Sequence, residues 1–152
     1  MQTFLPYADY AKSVQVLDPS RLGNQVYREG LTLLRGGWPN HPASKMWRGH
    51  LHHLALYCLA GLEELTKRGK DYPHHYDEVH VHLFNHPDTG PPPWLGSEEF
   101  HASHRSNLLR KNPTWYGKFG WTEPDNLPYV WPINTKSPSP PKPKRFKLGK
   151  KL

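Results

Sequence analysis

One carboxylate lies among cations in the first quarter of the chain. At helical spacing, Glu29 shares a polar stripe with Arg21, Gln25, Arg28 and Thr32. A carboxylate can shuttle protons, and arginines can hold phosphate groups through paired hydrogen bonds. The same stripe is also typical of a solvated helix face with ion pairs inside the helix. Spacing alone favours this second interpretation.

Two later segments also carry side chains suited to chemistry. Residues 101–107 are polar where a helix is usually more apolar, and an exposed helix face is the plain explanation. Basic and aromatic residues are interleaved in residues 111–119, a mixture that suits phosphate contacts and ring stacking. These segments contribute the candidate contacts His101, His104, Arg105, Asn107, Lys111, Trp115, Tyr116 and Lys118.

The chain contains 11 histidines, which raises the question of a metal site. They do not form a known ligand pattern such as HExxH, and a single cysteine cannot build a zinc knuckle. Cys58 falls on an apolar helical stripe and is predicted to be a core residue. We therefore expect no functional metal site.

The net positive charge of the chain comes from its last residues. Residues 1–135 contain equal numbers of acidic and basic side chains, and the formal net charge of +7 lies entirely after them. We expect a helical domain over residues 1–132 and a disordered, basic Pro/Lys-rich tail over residues 133–152. The tail could hold DNA without sequence preference, or it could be a solubilising end. A nuclear-import pattern at residues 143–145 also matches, with a high false-positive rate.

Local signals predict where the helices begin and end. Asp9 can cap a short helix running to about Leu17. Asp18 followed by Pro19 predicts the start of a second helix, which should stop near residue 36 at a pair of glycines. Before these helices, Phe4–Tyr7 reads as an extended segment.

The remaining segments complete a mostly α domain with three main helices and long loops. The longest periodic stretch, residues 43–68, predicts one continuous helix. Residues 70–96 read as loop, apart from a short alternating strand at 79–83. Ser97 predicts the start of a helix to about Lys111. No apolar run is long enough to span a membrane, and the first residues lack signal-peptide character, so a cytoplasmic, nucleoid-associated protein is expected.

Several segments together resemble the pyrimidine-dimer DNA glycosylase family, the phage endonuclease V type of ultraviolet-damage repair enzyme. The stretches MQTFLPY, NHPA with the following MW, and HASHRSNLLRK are most similar to a cellular and phage branch of that family. The resemblance covers about residues 1–121. Its segments are Met1–Tyr7, Arg21–Gln25, Tyr27–Glu29, Asn40–Ala43, Lys67–Gly69 and Pro113–Tyr116.

The resemblance implies a specific reaction without a cofactor. In such enzymes the α-amino group of the chain attacks C1′ of the damaged nucleotide, expels the base and leaves an imine to the sugar. A glutamate on the first long helix assists ring opening and the strand-nicking β-elimination, and Glu29 matches it. The bulk of Gln2 should keep the initiator residue in place, so the predicted nucleophile is the Met1 amine. Thr32 stands where the best-studied phage enzyme of this type has an arginine. Arg21, on the same polar stripe, could compensate for the missing arginine.

The expected partner is damaged double-stranded DNA, bound by a monomer that requires neither a membrane nor a protein partner; a phage-encoded chain would act in the host cytoplasm. Alternatives are action on another lesion or a phage-modified base, with Glu29 working through water, and a non-catalytic DNA-binding module. Besides the contacts in residues 101–118 given above, the predicted DNA contacts are Arg21, Gln25, Arg28, His41, Lys45 and Arg48.

Overall fold

The central element of the fold is helix α5, which packs against most of the other helices. The computed structural model describes residues 1–132, and the regular secondary structure within them consists of helices. The helices are α1 (Tyr10–Gln15), α2 (Pro19–Asn24), a π-helical segment (Gln25–Gly30), α3 (Leu31–Leu34), α4 (Pro42–Trp47), α5 (Leu51–Lys67), α6 (Pro73–Asn85), α7 (Glu98–Lys111), α8 (Pro113–Tyr116) and a 3₁₀ turn (Gly117–Phe119). Helices α1, α2, α3 and α6 and the π-helical segment all contact α5. The mostly α fold predicted from the sequence is confirmed.

Most of the predicted helix ends are confirmed. Asp9 Oδ1 accepts a hydrogen bond from Lys12 N at 2.9 Å and caps α1. Helix α2 begins at Pro19, although the Asp18 side chain does not cap it. The continuous helical stretch from α2 through α3 ends at Leu34, just before the predicted glycine stop.

Two predicted elements are wrong. The single helix predicted over residues 43–68 is two helices, α4 and α5, because Gly49 between them has a φ of +83°. The strand predicted at residues 79–83 is part of α6, which starts at Pro73 within a predicted loop. Val79 is buried at one side of α6 whereas Val81 is 55 % exposed. The apparent alternation therefore came from exposed apolar positions on a helix that buries little of its surface.

Helix α7 is polar in sequence but buried in the fold. The polar side chains of residues 101–107 suggested an exposed face, yet most residues from Phe100 to Leu108 are inaccessible to solvent. The helix lies beneath the extended N-terminal segment, and its polar side chains bond to that segment. The prediction of an exposed polar helix is therefore wrong.

The described residues contain neither a membrane-spanning helix nor a cluster of metal ligands. No helix within residues 1–132 is long and apolar enough to cross a membrane. In the same part of the chain, no group of three metal-ligating side chains comes together. The predicted tail, residues 133–152, lies outside the described residues.

Candidate active site

The N-terminal segment is extended, and side chains from distant elements hold its backbone in place. Gln2 to Pro6 are all buried. A buried backbone without sheet partners must satisfy its polar groups through side chains. Trp47 Nε1 donates to Thr3 Oγ1 at 3.0 Å, which anchors the segment to α4. The segment is therefore fixed from its second residue onward.

Helix α7 supplies three of these partners. Leu5 N donates to His104 Nδ1 at 2.8 Å, and His101 Nδ1 lies 2.7 Å from the Leu5 carbonyl oxygen. Arg105 donates to the Pro6 carbonyl oxygen at 2.7 Å. Burial lowers the pKa of His104 to about 3, so this imidazole is neutral and can accept the Leu5 N–H. The histidines and the arginine thus position the segment that precedes them in the chain.

Gln25 and Tyr57 complete the support of the segment. Phe4 N donates to Gln25 Oε1 at 2.6 Å. The Tyr57 hydroxyl lies 2.7 Å from the Phe4 carbonyl oxygen and 2.8 Å from Gln25 Oε1. Both side chains are almost fully buried. Gln25 therefore belongs to the interior and not to the outer surface of the stripe.

Glu29 projects from the π-helical segment, which replaces the regular helix predicted there. Leu31 N bonds to Val26 O, five residues earlier, as a π-helical turn requires. The segment packs closely on α5 because Gly30 has no side chain. A Cβ at Gly30 would overlap Cys58 Sγ and lie 2.7 Å from the Gln25 carbonyl oxygen. The change of helical register therefore falls within the segment that carries Glu29, and such π-helical insertions are frequent at functional sites.

The N-terminus and Glu29 come together. Gln2 N donates to Glu29 Oε1 at 3.1 Å, so the carboxylate lies next to the peptide that carries Met1. Met1 and Glu29 also line one open cavity of about 640 Å³, which we call the amine cavity. Its other lining residues are Asn24, Tyr27, Arg28, Thr32, Trp38 and His41.

The charges around His41 support this proximity. The pKa of His41 is lowered, first by burial and then by the positive charge of the chain's N-terminus, while Glu29 acts in the opposite direction. His41 Nδ1 accepts the Ala43 N–H at 3.0 Å and caps α4. A neutral imidazole, a carboxylate and an amine therefore surround one cavity, a set suited to nucleophilic attack and proton transfer.

The comparison with protein families agrees with this geometry. The family model described as pyrimidine dimer DNA glycosylase matches residues 1–78, which is half of the chain. The chain belongs to the pyrimidine dimer DNA glycosylase family. Neither the curated proteins nor the solved structures that were searched gave a significant match. The matched residues include the extended N-terminal segment, the π-helical segment and the α4 cap.

Membership of this glycosylase family establishes DNA as the substrate and base excision as the general function.

A second cavity of about 330 Å³, which we call the basic cavity, adjoins the amine cavity because Met1 and Glu29 line both. Arg21 and Lys111 also line it. The pKa of Lys111 is lowered by partial burial and then by Arg21 and Arg110, so positive charge is concentrated here. Such a cavity suits a DNA phosphate.

Several predicted DNA contacts of the glycosylase have structural roles in the domain. These residues are buried and bonded within the domain, and among them Gln25 also lines the basic cavity. Their polar atoms satisfy buried backbone or side-chain groups, and their contact with DNA stays a prediction. They are Gln25, His101, His104, Arg105, Asn107 and Tyr116.

The other predicted contacts fall into two groups. Arg21, Arg28, His41 and Lys111 line one of the two cavities. A second set lines neither cavity and consists of Lys45, Arg48, Trp115 and Lys118. In this second set, Lys118 Nζ lies 3.9 Å from the centre of the Trp115 ring.

Sequence reasoning overlooked Trp38, Asn24 and Tyr129, which all line the cavities. Trp38 stands between a glycine pair and a proline. An aromatic residue in such a turn was the available signal.

The interpretation of Glu29 as a partner in an ion pair inside the helix also fails. Within the described residues Arg21 pairs with Asp18 at 3.2 Å, and no salt bridge involves Glu29.

Proposed function

We propose that this protein excises damaged pyrimidines from DNA by nucleophilic attack of the Met1 amine, assisted by Glu29, and then cleaves the strand as an abasic-site lyase. The observation that carries the proposal is the hydrogen bond from Gln2 N to Glu29 Oε1, together with the cavity that Met1 and Glu29 share. An α-amine is a suitable nucleophile because it titrates at roughly 7.7–8.0 in peptides, well below a lysine.

The first step exchanges one bond at C1′ for another. The nitrogen of Met1 forms a bond to C1′ as the glycosidic bond breaks, and the base leaves with the electron pair of that bond. The Glu29 carboxylate takes up a proton that the amine nitrogen loses after attack and passes it to O4′, so the C1′–O4′ bond breaks, the sugar ring opens and a protonated imine remains. Neighbouring carboxylate charge stabilises the cationic form of this imine.

The second step nicks the strand. Removal of a C2′ proton by the Glu29 carboxylate sends electrons toward the imine, and the bond from C3′ to the phosphate oxygen breaks. Water then hydrolyses the imine and frees the amine. The basic cavity beside Met1 would hold a neighbouring phosphate through Arg21 and Lys111, which fixes the sugar relative to the amine.

Borohydride trapping tests the covalent step. The protein is incubated with abasic or dimer-containing duplex and sodium borohydride, which reduces the imine to a stable adduct. We expect an adduct that acetylation of the N-terminus abolishes, and intact-mass measurement should show that Met1 is retained. Glu29→Gln should slow strand cleavage by about 10²–10⁴-fold. Glu99→Gln, at an exposed position of α7, is the matched control and should leave the rate unchanged.

Other outcomes separate the alternative functions. Base excision that persists after acetylation would contradict the amine mechanism and indicate Glu29 acting through water, and a panel of damaged and modified duplexes would then identify the lesion. Binding without turnover on every duplex would indicate a non-catalytic module. An adduct unaffected by both acetylation and Glu29→Gln would place the nucleophile elsewhere.

A further inference from the structure

A tryptophan is exposed at the amine cavity. Trp38 is 59 % exposed and lines that cavity beside Met1 and Glu29. Val81 and Phe84, the other large apolar residues exposed within residues 1–132, line neither cavity. Of these three exposed side chains, the indole alone borders the cavity that Met1 and Glu29 line, and this position points to a ligand.

The backbone holds Trp38 in an uncommon conformation. Its φ is +55°, the left-handed region that residues other than glycine rarely adopt. The Trp38 carbonyl oxygen lies 2.5 Å from the Ser44 hydroxyl and accepts the His41 N–H at 3.0 Å. Within the same turn, Arg48 donates to the Pro39 carbonyl oxygen at 2.8 Å. These hydrogen bonds hold the backbone of the turn in its strained conformation, and strained residues of this kind cluster at functional sites.

The chemistry of the cavity narrows the ligand. Its volume of about 640 Å³ lies within the usual range for small-ligand sites, which is roughly 300–1,000 Å³. The flat ligand that DNA offers to an aromatic side chain is a base, and its ring faces become available when it leaves the helical stack. A base near the reacting sugar lies within reach of both Met1 and the indole, because they share one cavity.

We infer that Trp38 stacks on a nucleobase turned out of the duplex at the lesion. The inference rests on the proposed function, because it uses the position of the amine to place the sugar. The base can come from two sources, the damaged nucleotide or the nucleotide opposite it, and both offer the same stacking face. Loss of base–aromatic stacking should weaken binding by about 5- to 150-fold.

Four duplexes distinguish the sources. The damaged strand carries either a cyclobutane pyrimidine dimer or a stable tetrahydrofuran abasic analogue. The opposing strand carries either normal bases or the tetrahydrofuran analogue at the facing position. Dissociation constants are measured for the unsubstituted protein, Trp38→Ala, Trp38→Phe and the control Phe84→Ala. Phe84 is 89 % exposed on α6, so its replacement removes a comparable apolar surface away from the cavities.

We expect Trp38→Ala to bind more weakly wherever the stacking base is present and to match the unsubstituted protein on the duplex with analogues in both positions. If Trp38→Ala loses affinity only on duplexes that contain the dimer, the stacking base is the damaged base. If it loses affinity only on duplexes with normal opposing bases, the stacking base is the one opposite the lesion. Trp38→Phe should recover most of the affinity, and Phe84→Ala should have no effect. Equal binding on all four duplexes, or an equal loss on all four, would overturn the inference.

Failure of the proposed function would be visible separately. It would appear as the absence of a borohydride adduct with the unsubstituted protein on a natural abasic site. The binding measurements with the tetrahydrofuran analogue do not depend on imine formation, so they decide the role of Trp38 in either case.

Discussion

Acid should weaken the anchoring of the N-terminal segment, because buried histidines hold its centre. His104 Nδ1 accepts the Leu5 N–H at 2.8 Å, and His104 is fully buried. His101 Nδ1 lies 2.7 Å from the Leu5 carbonyl oxygen, and His101 Nε2 accepts the Gly96 N–H at 2.9 Å. Protonation of His104 at Nδ1, or of His101 at Nε2, removes an acceptor. The folded state thus requires both imidazoles to be neutral.

The magnitude follows from proton linkage. Burial lowers the pKa of His104 to about 3 in the folded protein, against roughly 6.5 for an unfolded chain. The unfolded chain therefore binds a proton below about pH 6.5 while the folded protein does not, and the free energy of unfolding falls as the pH decreases. The loss is about 1.4 kcal/mol per pH unit, or about 2 kcal/mol between pH 7 and pH 5. Burial also lowers the pKa of His101, which adds to the loss.

The assay is urea denaturation followed by far-ultraviolet circular dichroism at pH 7, 6 and 5. We compare the unsubstituted protein with His104→Gln and with His80→Gln, a control at an exposed position of α6. His104→Gln should be less stable at pH 7, but its free energy of unfolding should fall with pH by about 1.4 kcal/mol per unit less steeply. An unchanged slope in His104→Gln, or an imidazole of His104 that titrates near pH 6.5 by NMR in the folded protein, would refute the reasoning.

Three further results are expected. Gly30→Ala should destabilise the domain by about 1–3 kcal/mol, because the added Cβ overlaps Cys58. The control Gly117→Ala should change the free energy of unfolding little, because no atom lies within 4 Å of the added Cβ. Equal effects of the two substitutions in thermal denaturation would contradict the close packing of the π-helical segment on α5. Arg21→Gln should weaken DNA binding for all sequences alike and reduce the slope of log K against log salt by about 0.9; an unchanged slope would exclude a phosphate contact at the basic cavity. Replacing the seven tail cations in residues 136–152 with glutamine should flatten the salt dependence of non-specific binding and leave single-turnover cleavage at saturating protein unchanged, and slower cleavage in that assay would show that the tail takes part in the reaction.

Local signals explain which helices could be predicted. Asp9, Pro19 and the glycines after Arg35 act through hydrogen bonds and φ angles of their own neighbourhood, so the ends of α1 and of the helical stretch from α2 to α3 are visible in the sequence. The break at Gly49 is less visible, because glycine is tolerated inside helices. The positive φ of Gly49, which separates α4 from α5, is seen only in the folded structure.

Helix α6 shows how an apparent period misleads. Its histidines and valines alternate over a few residues, and a short window cannot separate a strand from a weakly amphipathic helix. The helix forms because Val79 packs into the core while Phe84 and Val81 stay exposed. The deciding interaction is tertiary, so it leaves no local signal.

The sequence by itself determined a mostly helical domain and, through family resemblance, the candidate pair Met1 and Glu29. Only the tertiary structure brought Gln2 N to Glu29 Oε1 and lined one cavity with both residues. It also reassigned the polar residues of α7 from the surface to the interior. His104 and Leu5 are separated by 99 positions, and the polarity of a segment cannot show which distant backbone group its side chains will satisfy. Burial of the extended N-terminus creates that need, and α7 meets it.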